Sequence, residues 1–163
     1  MAAELFRGLL DQLRALEDRI GALDRRIVRL CRNSEVCRRL AALPGVGPIV
    51  ATALVAGVGD ARQFRCGRDL AAWIGLVPRQ HSTGGRPKLL GIGAGGNHYL
   101  RKQLIQGARS VRPHLGSKDD GRSRWLRGVL ERRGSNRAVV ALANKTARVA
   151  WVLMARGEAY RAA

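Results

Sequence analysis

An all-α fold is predicted by three features of the sequence. These are a heptad repeat over residues 6–30, a glycine- and proline-punctuated turn near 44–48, and helical apolar spacing through most of the remainder. No stretch alternates apolar and polar residues long enough to predict a strand. The expected architecture is an N-terminal coiled-coil helix, residues 1–36, followed by a compact helical domain, residues 37–163. Within that domain a helix-hairpin-helix-like unit is expected at 40–56 and a long loop at 76–96.

The arm comes first. Phe6, Leu13, Ile20 and Ile27 occupy heptad position a, and Leu9, Leu16, Leu23 and Leu30 occupy d. Spacings that alternate between three and four residues keep one narrow seam on one side of a helix, which is the pattern of a coiled coil. Arg19 at g can meet Asp24 at e of a parallel partner, and Ile at a with Leu at d suits a parallel dimer, so self-association through this arm is expected.

Asn33-Ser34 breaks the repeat. The next unit, Leu40-Ala41-Ala42-Leu43-Pro44-Gly45-Val46-Gly47-Pro48-Ile49, reads as a short helix, a tight turn and a second helix opened by Pro48. This is the shape of a helix-hairpin-helix, in which glycines let the backbone approach a phosphate and the amides at the second helix's start face it. Gly45 and Gly47 are therefore candidate DNA contacts; a purely structural turn is the other reading. Asp60 is placed to cap the turn after that helix, and Arg65 to Ile74 reads as a further short helix with Leu70, Ala71 and Ile74 inward.

After the 76–96 loop, Asn97 is a candidate N-cap for a helix carrying Leu100, Leu104, Ala108 and Val111, which Pro113 ends. Its other side presents Arg101, Lys102, Arg109 and Arg112. A polar turn at 116–123 precedes two helices, Ser123 to Arg133 and Asn136 to Arg156, whose many alanines permit close packing.

Charge points to the partner. Thirty Lys and Arg oppose twelve Asp and Glu, for a net +18, far beyond what solubility needs. Residues 1–40 contribute +3 and residues 41–163 contribute +15; between Ala61 and Lys118, eleven basic residues face the single acid Asp69. A polyanion, DNA first, is the expected partner. No apolar run of the length needed to span a bilayer is apparent and no signal-peptide pattern opens the chain, so no membrane association is expected. Cys31, Cys37 and Cys66 form no Cys-x-x-Cys pair, and His81, His98 and His114 are scattered, so no metal site is expected in this chain.

The loop holds the chemistry. Ser82 is a hydroxyl nucleophile candidate among the cations Arg79, Arg86 and Lys88. The residues alone also allow a basic linker in which Ser82 merely forms a turn.

The ordered set Leu-Pro-Gly-Val-Gly-Pro (43–48), Gly-Asp-Ala-Arg-Gln-Phe (59–64), Asp-Leu-Ala-Ala-Trp-Ile-Gly-Leu-Val-Pro-Arg-Gln-His-Ser-Thr-Gly-Gly (69–85), Gly-Asn-His-Tyr-Leu-Arg-Lys (96–102) and Ala-Leu-Ala-Asn-Lys-Thr-Ala-Arg-Val-Ala-Trp (141–151) resembles one family of bacterial insertion-sequence transposases. The likeness is to the C-terminal half of members that join a RuvC-like domain with acidic, Mg-binding residues to a coiled coil and a serine-bearing helical domain, some guided by a bridge RNA. It implies that Ser82 attacks a DNA phosphodiester and holds the cut strand as a phosphoserine ester. It further implies Mg on a RuvC-like domain, which these residues do not include and which is expected in cis or in trans, and a cytoplasmic, nucleoid-associated bacterial setting. Candidate DNA contacts are Gly45, Gly47, Arg79, Gln80, Arg86, Lys88, Asn97, Arg101, Lys102 and Arg109. Gly93-Ala94-Gly95 departs from the Ser-Lys-Arg-like basic turn expected there. The alternatives are a non-enzymatic DNA-binding helix-hairpin-helix module, a dimerising structural fragment and a truncated, inactive remnant.

Overall fold

A computed structural model describes residues 2–83, 86–116 and 119–161; the side chains of Ala2 and of residues 81–89 lie outside the description. Among the described residues seven α-helices carry the fold: α1 (Ala2–Asn33), α2 (Glu35–Ala41), α3 (Pro48–Val58), α4 (Gly67–Ile74), α5 (His98–Val111), α6 (Gly121–Arg133) and α7 (Ser135–Ala155).

Helix α1 is a single continuous element of 32 residues. Only its last turns join the domain: Cys31 is buried, Ile27 and Val28 are half-buried, and the helix end packs on α3 and α2. The seam before that point is bare, with Phe6, Leu9, Leu13, Leu16, Ile20 and Leu23 each more than half exposed. Ser34 ends the arm and begins α2, its hydroxyl accepting a hydrogen bond from the Cys37 amide at 3.3 Å.

The domain is wound around α7, which packs against α2, α4, α5 and α6. Ala138, Ala143, Ala147 and Ala150 are fully buried, and their small side chains let neighbouring helices come close. Leu40, Leu54, Leu70, Ile74, Leu76, Leu100, Leu104, Leu126 and Leu142 fill the remaining core. The Trp151 indole N–H donates to the carbonyls of Ala61 (3.0 Å) and Phe64 (3.2 Å), fixing the 61–64 segment on α7. By length and composition α7 is apolar enough to cross a membrane, which the sequence reading did not anticipate. Half of that stretch is buried inside the domain, so its apolar character is already used in packing.

The caps follow local chemistry. Asp60 accepts from the Arg62 amide (3.0 Å), Asn97 from the Leu100 amide (3.0 Å), and Asp120 from both the amide (2.9 Å) and hydroxyl (2.8 Å) of Ser123. The bond to the Arg62 guanidinium holds the Asp60 carboxyl below its ordinary range, and the Ser123 bonds do the same for Asp120.

One expectation changes. The segment read as an irregular loop contains an antiparallel ribbon of β1 (Pro78–Thr83) and β2 (Arg86–Ile92), with an irregularity between Pro78 and Gln80. Pro-Arg-Gln-His-Ser-Thr lacks the apolar alternation that marks a strand with one buried face. Backbone pairing between the two strands sets the ribbon instead.

Candidate functional site

Arg101 makes most of the side-chain bonds at the base of the ribbon. From α5, the Arg101 guanidinium donates through Nη1 to the carbonyls of Gly93 (2.7 Å), Gly95 (3.0 Å) and Gly75 (3.4 Å), and through Nη2 to Ala94 (3.4 Å); Nη2 also meets His98 Nδ1 at 3.2 Å. The planar fork suits this task because five donors diverge from one rigid group. Asn97 adds a backbone bond from its amide to the Trp73 carbonyl at 3.2 Å, and Asn144 Nδ2 donates to the Leu76 carbonyl at 3.1 Å.

Two glycines make this closure possible. Gly75 (φ 85°) and Gly96 (φ 97°) both sit in the left-handed region. A Cβ on Gly75 would lie 2.7 Å from Arg101 Nη1, and one on Gly96 would lie 2.7 Å from the Gly75 nitrogen. The glycine-rich turn that departs from the expected basic sequence therefore presents carbonyls to Arg101.

Ser82 lies near the far end of β1, where its register partner is Pro87. Arg86 and Lys88 stand opposite Thr83 and His81, one step out of phase with Ser82 along the ribbon. The side chains of Ser82, Arg86 and Lys88 belong to the stretch outside the description. Arg79 is exposed beside the strand irregularity, over Gly93, where an added Cβ would meet its Cδ at 3.3 Å; Gln80 is exposed as well.

The helical turn is built differently. Gly45 (φ 87°) faces Gly107 in the middle of α5, where a Cβ would come 2.5 Å from the Gly107 carbonyl oxygen, and a Cβ on Gly107 would collide with the Gly45 carbonyl. Gly47, the residue before α3, has open space around its Cβ position. Of the cations on α5, Lys102 and Arg109 are exposed, and Arg109 reaches Gln106 at 3.4 Å. Arg112 beyond the helix donates to the Ser135 hydroxyl. Of the candidate DNA contacts, Gly45, Asn97 and Arg101 are engaged in holding the fold, Gly47, Arg79, Gln80, Lys102 and Arg109 lie at the surface, and the side chains of Arg86 and Lys88 lie outside the description.

Residues 37–120 match the family described as "Transposase IS116/IS110/IS902 family", just over half of the chain. The chain belongs to the IS116/IS110/IS902 transposase family. The match takes in both hairpins, Ser82 and Arg101, and stops before α6 and α7. A probable family 20 transposase of Pseudomonas aeruginosa is 53% identical over 158 residues, 97% of this chain and 47% of that protein. The transposase for insertion sequence element IS1111A of Coxiella burnetii is 47% identical over 145 residues, 89% of this chain and 40% of its own length. A pilin gene-inverting protein of Moraxella bovis is 34% identical over 103 residues, 60% of this chain and 32% of that protein. The chain spans less than half the length of these relatives.

For this family member, sequence reasoning missed the packing role of Gly107 and the closing role of Gly75 and Gly96. Glycines flanking the 76–95 excursion were the available signal. Among the described residues no group of three or more His, Cys, Asp or Glu side chains could hold a metal ion.

Proposed function

We propose that this chain is the coiled-coil and serine-bearing portion of a DNA transposase, with Ser82 as nucleophile. The observation that carries the reading is the placement of Ser82 on a ribbon closed at its base by Arg101, inside the stretch that matches the transposase family. The names of the relatives, transposases and a gene-inverting protein, support DNA breakage and rejoining as the activity class.

In the proposed step, Ser82 Oγ bonds to a backbone phosphorus and the bond from phosphorus to the leaving deoxyribose oxygen breaks. Ser82 gives up its proton to a base, and the leaving oxygen gains one. Phosphoester is exchanged for phosphoester, so the cut end keeps its energy for rejoining and no energy-rich cofactor is consumed. Charge on the phosphate grows in the transition state, and Arg79 is the described cation nearest in sequence to offset it. An acidic RuvC-like domain with Mg, supplied in cis or in trans, completes the proposal; a guide RNA is a further expected partner. The arm pairs in parallel with a second copy along its bare Phe6 to Leu23 seam.

The test is cleavage of insertion-element DNA by the complex with the acidic domain and Mg present. Ser82→Ala abolishes cleavage while retaining DNA binding, and the adduct on nicked DNA maps to Ser82. An adduct elsewhere, or cleavage undiminished in Ser82→Ala, rejects the nucleophile. Ile20→Asp places a charge in the seam and converts a sedimenting dimer to monomer; a monomeric parent protein at micromolar concentration rejects the pairing.

A further inference from the structure

A groove of about 1440 Å³ runs from the base of the β-ribbon, at Pro78 and Leu90 to Ile92, along the outer face of α7 to the start of α4. It exceeds the roughly 300–1,000 Å³ of sites that take small molecules. Five cations line it: Arg68 on α4, Arg133 at the end of α6, and Arg137, Lys145 and Arg148 on α7; no Asp or Glu does.

Some arginines elsewhere in the domain are neutralised locally. Arg62 pairs with Asp60, Arg65 with Asp69, and Arg124 and Arg127 with Asp119. Among the described residues none of the five groove cations has an acidic partner. Four uncompensated guanidiniums and an ammonium facing one trough make a strong positive potential that an external polyanion would neutralise. Arg137 and Arg148 are eleven residues apart, close to three turns, so they share a face of α7 and span roughly 16 Å along it. That span calls for several phosphates in a row rather than one.

The floor between them carries Asn144, its Nδ2 already bound to the Leu76 carbonyl, flanked by the apolar Val140 and Ala141, with Ile92 of the ribbon also lining the groove; the Lys145 ammonium lies 4.5 Å from the ring centroid of Trp125. A duplex offers phosphates and sugars to such a surface and would leave this floor unused. An unpaired strand offers phosphates on one side and base faces on the other, matching the basic rim and the apolar flanks of the floor together. We infer that this groove binds a single-stranded nucleic-acid segment, phosphates along Arg137 and Arg148 and bases against the α7 floor, leading the strand to the base of the Ser82 ribbon. The inference deepens the nucleic-acid reading above, and it depends on groove chemistry rather than on Ser82 being the nucleophile.

The probes are labelled oligothymidylate and oligouridylate of roughly 12 nucleotides and a duplex of the same length, followed by anisotropy with the full chain at two salt concentrations. Arg137→Glu with Arg148→Glu is compared with Arg14→Glu and Arg26→Glu on the arm, which changes net charge equally. The expected result is a loss of about tenfold or more in strand affinity for the groove pair and less than about threefold for the arm pair. Thiothymidine in the strand is expected to cross-link to α6 or α7. Val140→Asn should weaken strand binding more than duplex binding. Equal losses for the two charge pairs, duplex binding as tight and as sensitive as strand binding, cross-links confined to the ribbon or the arm, or oligoglutamate displacing the strand at equal charge concentration would each overturn the inference. The DNA and RNA arms decide which strand is preferred. Ser82→Ala should bind the strand like the parent, so a failed nucleophile and a failed groove give different results.

Discussion

The two hairpins of this domain use glycine for opposite ends. In the helical hairpin between α2 and α3, Gly45 is pressed against Gly107 of α5, backbone to backbone, so the turn is part of the core. In the β-ribbon, Gly75 and Gly96 sit only at the base, where they admit the Arg101 fork, and the strands beyond are fixed by pairing with each other. A glycine next to a turn therefore has two distinct physical meanings, close packing or closure of an excursion, and only the partner across the gap tells them apart.

The sharpest way to break this contrast is Gly107→Ala. The new methyl meets the Gly45 carbonyl, and neither backbone can yield without moving a helix. The expected cost is about 3 kcal/mol, a large share of the roughly 5–15 kcal/mol of a typical domain. A urea midpoint close to that of the parent would show that the turn is not part of the core. Arg101→Ala comes next, at about 1–3 kcal/mol. Its effect should be local: amide exchange in β1 and β2 accelerates while α7 stays protected. Arg101→Lys keeps the charge but loses the fork, so it should not restore that protection. Restoration by Lys would mean that Arg101 acts as a point charge, as a phosphate contact would. The smallest effect is expected at Gly47→Ala, about 0.5 kcal/mol for the less favourable N-cap. A loss of DNA affinity there without loss of stability would return the helical hairpin to the set of phosphate contacts.

What the sequence revealed divides along the same line. That the first thirty or so residues form a helix was legible because the spacing of Phe6 through Leu30 is a property of the chain by itself. Asn97 was legible as a cap for the same reason: its carboxamide reaches only three residues ahead. Elements that depend on distant partners were not. Arg101 looked like any cation on a solvent-facing helix, since the carbonyls it binds come from Gly75 and the 93–95 turn. The ribbon left no apolar alternation in Pro-Arg-Gln-His-Ser-Thr, and its strands pair through backbone groups that every residue carries. In α7 the apolar positions were evident, but Arg137 and Arg148 gained meaning only when the ribbon base and α4 were set across from them.

The closure at Arg101 has a consequence for how this domain can vary. Trp73 and Asn97 are bonded to each other, and Gly75 is joined to Arg101 across 26 residues, so the chain leaves the helical body and returns to it at nearly one point. Leu76 is the last residue before the excursion that belongs to the described core. Lengthening such an excursion adds only a slowly growing closure entropy, about 0.6 kcal/mol for each doubling of its length. The ribbon is thus a replaceable cassette on a fixed socket, and exchanging residues 77–92 for the corresponding stretch of a relative should leave the melting behaviour of the helical body in place.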